Sequence, residues 1–588
     1  MNTVLFAVYI PLILGLAAVF LPKKLFKAGG VFAILSSLCL IAGSLGALPS
    51  FGDELSLFSG GPFALVLTAL AGFFSLLVAL YSIGSLDKDY PVFYWSLFCW
   101  MMASAAGVFL SARVIPLLVS WGISGVILSL LIWQSGQKDI GKKTLIIVGG
   151  SDAFMMLGLA GLWVISGTDI LSMMSTDLGG SFRWVIFLSL LCASFAKAGA
   201  MPFHTWIPDT ARDAPAPVFA ILPASIDKLL GIFLLKRVVS EWFSLSPGGN
   251  TVLLAVGSFT IVAAVFMALS QHNLKRLLGY HAVSQVGYML IGLGTASAVG
   301  IAGGLLHMLN NSIYKQGLFL SSAVVHKRTG TAMLDKLGGL FKSFPITFVS
   351  FTLMAMAISG LPPLNGFISK WLIYHGIVSS GNSSLWVLWF AAALFGSVLT
   401  LASFFKITHA VFLGQSSKST TLVKEKLGWE MPAIIIFPLM CIAIGVFPQY
   451  TAYPFLESAL GSFTPPLLWQ PSVAAGLLFV GVIFVMAVYA LSGVKKMRRS
   501  KTYIGGEKLT PAMRVSGVQF YSDIENMKFF KKIYGWAHKN FFDIYEILKA
   551  IVFYCIRVLR RAHSGVLSVY LLWMLAGSVV VFYLLLLK

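Results

Sequence analysis

Apolar runs long enough to cross a bilayer recur from one end of this 588-residue chain to the other, separated by short polar stretches. A run of about 18 or more apolar residues predicts a transmembrane helix. About sixteen such spans are expected on that criterion, at 3–21, 28–48, 62–84, 92–111, 114–134, 144–166, 184–207, 214–238, 250–270, 278–297, 299–325, 345–378, 385–412, 431–449, 472–494 and 565–587. The fold class expected is an all-α polytopic membrane protein. The run at 345–378 is too long for one crossing and contains Gly360, Pro362 and Pro363, so it is expected to be a broken helix. Pro202 breaks the seventh run five spans earlier. Breaks inside a bilayer are tolerated where protein or a wet cavity covers the freed backbone, and a matched pair in two halves points to an inverted repeat.

The stretch 502–564 has a different pattern. Phe520, Ile524, Phe530, Tyr534, Phe541, Tyr545 and Leu548 fall near helical spacing, with Lys528, Lys531, Lys532 and Lys539 between them. This predicts a long amphipathic helix on the membrane surface, either an anchor or a strap along neighbouring subunits. The resulting organisation is helices 1–3 in 1–91, a first repeat in 92–238, a second in 250–412, two helices in 431–494, the amphipathic helix in 502–564 and a final anchor in 565–588.

Composition excludes several function classes. The chain is 58% hydrophobic and 11% charged, against about 25% charged for a soluble protein. No polar stretch is long enough for a soluble domain. A net charge of +21 suggests nucleic acid only in a soluble protein; here the basic residues sit in short loops, so no nucleic-acid partner is expected. The loops follow the positive-inside rule. Lys23, Lys24 and Lys27, then Lys138, Lys142 and Lys143, then Lys275 and Arg276, then Lys327, Arg328, Lys336 and Lys342, then Lys495 to Lys501 all fall in odd-numbered loops. Those loops are expected on the cytoplasmic side, with both termini on the far side, although Arg113, Lys236 and Arg237 depart from the pattern. The first run is read as a retained helix rather than a signal peptide. Cys39, Cys99, Cys192, Cys441 and Cys555 form no CxxC pair, so no disulfide, zinc or iron–sulfur site is expected within the chain.

The informative charges are those inside the spans. A charge at the bilayer centre costs about 2.5–3.5 kcal/mol on insertion scales. Of 21 acidic residues, only Asp152 and Asp227 fall well inside a span, alongside Lys197, Lys228, Lys315, Lys370 and His307. Lys406 and His409 lie near a helix end and fit snorkelling; Lys197, Lys228 and Lys315 do not. Asp152 fits either a structural ion pair or a relay carboxylate, and His307 either a satisfied core histidine or a relay group. Burial disfavours a charged lysine and a nearby carboxylate favours it, so a lysine between the two can hold and release a proton near neutral pH. Histidine titrates in the same range.

The stretch AKAGAMPFHTWIPDTARDAPAPVFA (196–220), with HNLKRLLGYHAVSQVGYMLIGLG (272–294), LLHMLNNSIYKQGLFL (305–320) and ISGLPPLNGFISKW (358–371), resembles the proton-conducting antiporter-like family: the large membrane subunits of respiratory complex I, Mrp sodium/proton antiporters and membrane-bound hydrogenases. The resemblance implies a fourteen-helix core of two inverted five-helix repeats, followed by a fifteenth helix, a lateral helix and an anchor. It implies that Lys197 is the central lysine of a first half-channel, His307 and Lys315 the connecting groups and Lys370 the terminal lysine of a second. Asp227 and Lys228, and His281 within the second motif, complete the expected ion path. Two positions depart from the family pattern: Gly122 stands where a helix-5 glutamate is usual, with Asp152 its expected substitute, and Asn311 replaces a second histidine. PASIDKLLGIFLLKR (223–237) and HSGVLSVYLLW (563–573) look most like the large subunit of Ech-type energy-converting [NiFe]-hydrogenases. That likeness implies no cofactor in this chain, [NiFe] and iron–sulfur clusters in partner subunits, protons or sodium as the cargo and a prokaryotic cell membrane as the location. Alternative parent complexes are an Mrp antiporter, a formate hydrogenlyase or a complex I relative; a further alternative is a scaffold that has lost conduction.

Overall fold

The computed structural model describes residues 3–46, 57–87, 90–91, 93–380, 385–415, 424–465, 471–491, 517–563 and 565–586. The basic loop from Lys495 to Lys501, the acids Asp53 and Glu54, and residues 502–516 of the amphipathic segment lie outside these. The chain divides into two compact units, Met1–Asn526 and Met527–Lys588. Ten helices among the described residues are long and apolar enough to cross a membrane. In hydrocarbon a helix satisfies its own backbone polar groups, which is why uncharged runs adopt it.

In the first unit α1 (Thr3–Val19), α2 (Phe26–Leu45), α3 (Pro62–Ser85), α4 (Phe93–Leu110) and α5 (Val114–Trp133) follow one another. Then α6 (Lys138–Thr144) runs through a wide π-turn into α7 (Gly150–Ser166). Lys138, Lys142 and Lys143, expected in a loop, therefore lie on helix, and Lys143 is buried there in an ion pair with Asp209 at 2.8 Å.

The seventh run breaks where expected. α8 (Ser181–Ala198) stops at Gly199, whose φ of +83° favours glycine, and α9 (Trp206–Asp213) begins beyond Pro202. α10 (Ala216–Ile221) leads through a π-turn at Leu222–Ile226 into α11 (Asp227–Arg237). The second half repeats the device. After α12 (Pro247–Leu269), α13 (Leu274–Gly294) and α14 (Ala298–Thr329), α15 (Pro345–Ser359) stops at Gly360, φ +84°, and α16 (Asn365–Ser379) starts beyond Pro362 and Pro363. Both breaks read helix, left-handed glycine, proline, helix. α17 (Trp386–Thr408) continues through a π-turn at His409–Leu413, and α18 (Met431–Val446) follows. α19 (Ala452–Leu460) lies in a segment expected to be loop, and α20 (Pro471–Leu491) comes next. A parallel strand pair, Thr176–Asp177 with Phe243–Ser244, joins the loops that follow α7 and α11.

α12 and α13 meet backbone to backbone. A Cβ at Gly257 would lie 2.8 Å from the Gly287 carbonyl, and one at Gly287 2.5 Å from the Gly257 carbonyl. Small residues at such crossings let membrane helices pack closely.

The amphipathic segment is not one helix. Residues Gly517–Tyr521 form a 3₁₀ turn leading into α21 (Ser522–Asn526). In the second unit α22 (Lys528–His538) and α23 (Ile544–Ala562) are separated by a turn at Asn540, φ +57°, and α24 (Leu567–Leu586) follows. Asparagine tolerates the left-handed region better than other non-glycine residues, and no apolar-spacing argument registers it.

Candidate functional site

Lys197 sits in the last turn of α8, immediately before the break, and is fully buried. Its Nζ donates to Ser124 Oγ on α5 at 2.5 Å and lies 3.8 Å from Asp227 Oδ1 on α11, over the Trp121 ring at 5.3 Å. Asp152 on α7 faces the same space. A Cβ at Gly125 would lie 3.7 Å from Asp152 Oδ2 and 3.8 Å from Lys197 Nζ; one at Gly122 would lie 3.8 Å from Asp152 Oδ2. The α5 position without a carboxylate is thus a gap with the Asp152 carboxylate at its edge. Lys197 has two acidic neighbours, and Asp227 is the one in ion-pair range. Both Asp227 oxygens and Asp152 Oδ1 are buried without a hydrogen-bond partner, which leaves acceptor capacity for water or a cation.

The next lysine rests on the break itself. Lys228 Nζ donates to the Ala198 carbonyl, 2.9 Å, at the C-terminus of α8. Across from it, α14 is tied to the π-turn by Asn311 Nδ2 donating to the Ala224 carbonyl at 3.5 Å, and α14 carries Lys315 one turn further on. Lys315 Nζ donates to the Leu278 carbonyl at 3.0 Å and lies 5.6 Å from the Phe404 ring centre. The His281 ring is 4.8 Å from the same phenylalanine, with Nε2 2.6 Å from Ser403 Oγ.

In the second half Lys370, on α16 just beyond the break, donates to the carbonyls of Ile358 at 3.0 Å and Ser359 at 3.4 Å, the C-terminus of α15. Its Nζ stands 4.8 Å from the Tyr288 ring centre. His307 lies beside Tyr288, with Nδ1 2.9 Å from Ser369 Oγ and Nε2 3.1 Å from Gln285 Oε1. Both ring nitrogens face oxygens, so the ring can take or pass a proton at either side. Asn310 and Asn365 exchange hydrogen bonds, 2.8 Å to the Asn365 carbonyl and 3.0 Å back, fixing the start of α16 to α14.

All eight expected residues therefore lie in one region of the first unit. Asp152, Lys197 and Asp227 cluster; Lys228, Lys315 and His281 bridge; His307 and Lys370 form a second cluster. Each station carries a titratable group, and hydroxyl, amide and carbonyl groups hydrogen-bond to several of them. Among the described residues no three His, Cys, Asp or Glu side chains gather as metal ligands. Ser124, Gln285, Ser369 and Ser403 belong to the site and do not stand out in the sequence. Their signal is a neutral polar residue inside an apolar run.

Lys406 departs from expectation. It does not snorkel: it is fully buried, with Nζ on the Leu269 carbonyl at 2.6 Å and the Gln271 carbonyl at 3.4 Å. Distance to the end of its own helix is the wrong measure, because α12 ends against it.

Residues 111–400 match the family described as NADH:quinone oxidoreductase/Mrp antiporter, TM. One Na(+)/H(+) antiporter subunit of Alkalihalophilus pseudofirmus is 30% identical over 468 residues, 72% of this chain and 56% of that protein. The corresponding subunit of Bacillus subtilis is 28% identical over 72% of this chain and 59% of that protein, so the chain spans under two thirds of the length of both. The NAD(P)H-quinone oxidoreductase chain 4 of Prochlorococcus marinus is 27% identical over 71% of this chain and 78% of that one. In fold, a chain of the membrane-bound sulfane sulfur reductase, an archaeal respiratory membrane complex, superposes with a TM-score of 0.83 at 21% identity, covering 99% of this chain and 100% of its own. A chain of the Mrp complex from Dietzia sp. DQ12-45-1b gives 0.70 at 19%, covering 81% and 99%. With the motifs in order and the two broken helices in register with the buried lysines, this chain belongs to the antiporter-like membrane-subunit family shared by Mrp antiporters and NADH:quinone oxidoreductases.

Proposed function

We infer that this chain translocates ions, protons or sodium coupled to protons, within a multi-subunit redox complex, and specifically an Ech-type energy-converting hydrogenase. The observation that carries ion translocation is the row from Asp152 and Lys197 through Lys228 and Lys315 to His307 and Lys370, in which Lys197, Lys228 and Lys370 lie on the two helix breaks. Charges this deep are costly unless used. The hydrogenase assignment draws on the strings at 223–237 and 563–573, and a redox-driven complex draws support from a fold likeness that runs nearly the full length of the sulfane sulfur reductase chain. The complex sits in a prokaryotic cytoplasmic membrane with both termini of this chain outside. Partner subunits carry [NiFe] and iron–sulfur clusters, and their electron transfer shifts charge near Lys197 and drives protons along the row.

A second reading, membership of an Mrp-type antiporter without redox partners, draws on the identity to the two Na(+)/H(+) antiporter proteins. Purification of the tagged chain in mild detergent separates the two: nickel, iron and a hydrogenase-like partner support the first, small membrane partners without metal the second. Lys197→Ala tests translocation itself. It is expected to abolish gradient formation while leaving partner chemistry in place; a normal gradient refutes translocation through Lys197.

A further inference from the structure

Lys406 and His409 take no part in the row described above, yet they lie on one face of α17 with a residue that does. Ser403, Lys406 and His409 follow at intervals of three, which puts their side chains about 5–6 Å apart along a helix surface. The inner end is joined to the row by the 2.6 Å contact of Ser403 Oγ with His281 Nε2. Lys406, fully buried, is the middle position. His409 is half-buried at the outer end, where α17 widens into its π-turn, and its Nδ1 is buried with no hydrogen-bond partner. Widened turns of this kind are frequent at functional sites.

The surroundings are built around this face. The 3₁₀ turn Gly517–Tyr521 lies against it: a Cβ at Gly517 would meet the Lys406 carbonyl at 2.9 Å, the Phe520 ring is 4.8 Å from the His409 ring, and Tyr521 OH donates to the Ala402 carbonyl at 2.9 Å. α12 ends at this level on Lys406 Nζ. Ser403, Lys406 and His409 thus step from His281 outward to the side on which α12 ends.

We propose that Ser403, Lys406 and His409 form a side access path by which protons from that face of the membrane reach His281 and Lys315 without passing Lys197. The Lys406 ammonium passes a proton to the Ser403 hydroxyl, which gives up its own proton to His281 Nε2 as it receives one; the Lys406 amine is then reloaded from the His409 imidazole, which takes its proton from water, so only N–H and O–H bonds form and break. Water between the side chains closes the gaps. The path rests on the reading of this chain as an ion conduit.

The test is proton uptake by the intact complex in proteoliposomes, energised by the reaction of its co-purifying subunits and read with a lumenal pH dye. Lys406 also caps α12, so Lys406→Arg is the decisive variant: a guanidinium keeps the positive charge on the α12 carbonyls but does not release a proton. The expected result is uptake reduced about tenfold or more in both Lys406→Arg and His409→Gln, with normal assembly and thermal stability. Normal uptake in either variant overturns the path and leaves Lys406 a helix cap. Lys315→Ala is the parallel control: if it takes up protons normally, the conduit reading fails, and the path falls with it; if it is inactive while Lys406→Arg and His409→Gln are normal, only the path fails.

Discussion

Replacing Asp227 by asparagine removes the carboxylate in ion-pair range of Lys197 and keeps the volume. Both side chains are fully buried and their charged atoms lie 3.8 Å apart. Coulomb's law at that distance with an effective dielectric of about 20 gives about 4 kcal/mol, within the about 3–5 kcal/mol typical of breaking a buried pair. Asp152 remains on the far side and retains part of the field. Proton translocation in proteoliposomes is therefore expected to fall more than about tenfold in Asp227→Asn and by less in Asp152→Asn, with partner turnover measured in the same preparation and assembly checked on native gels. Translocation at the wild-type rate in a fully assembled Asp227→Asn complex refutes the argument that this pair sets the charge state of Lys197.

The gap at Gly122 offers a second check: Gly122→Glu in the Asp152→Asn background is expected to restore translocation, since a Cβ there meets nothing closer than Asp152 Oδ2 at 3.8 Å; no recovery means α5 is not equivalent to α7 as a carboxylate source. Gly287→Leu is expected to abolish folded protein, because even a Cβ lies 2.5 Å from the Gly257 carbonyl; yield after size-exclusion chromatography decides it. Glu425 accepts from the Ile346 and Thr347 backbone N–H groups at 3.0 and 2.8 Å and from the Thr347 hydroxyl. Glu425→Ala is expected to cost α15 about 1 kcal/mol as a lost cap, seen as a thermal midpoint lower by about 1–2 °C.

The parts legible in the sequence are those with a large local signal. Both breaks announce themselves as glycine followed within three residues by proline, and Lys197, Lys228, Lys315 and Lys370 stand out because an uncharged run makes any charge conspicuous. The missing pieces depend on neighbours far along the chain. Lys406 looks peripheral on its own helix and is buried where α12, residues 247–269, ends against it. Asp152 and Asp227 are both visible as acids, but which approaches Lys197 more closely is decided by how α7 and α11 pack on α8. Ser124, Gln285, Ser369 and Ser403 are neutral, so burying them in an apolar run leaves little trace. The turn at Asn540 hides for another reason: apolar spacing continues on both sides of it.

The lysines are held in two different ways. Lys197 faces carboxylates, which can themselves gain or lose a proton. Lys370 instead sits on the carbonyl end of α15, and among the described residues no carboxylate pairs with it; Lys228, on the carbonyl end of α8, is intermediate, with Asp227 adjacent to it in the chain. A carbonyl dipole cannot be neutralised, and a helix C-terminus holds about half a negative charge permanently. Backbone geometry supplies an attraction at Lys370 that no protonation event removes, whereas the attraction at Lys197 is one that chemistry can switch off. On the proposed reading, the second half offers Lys370 a well of constant depth, and control of direction concentrates at the end of the row where the carboxylates are.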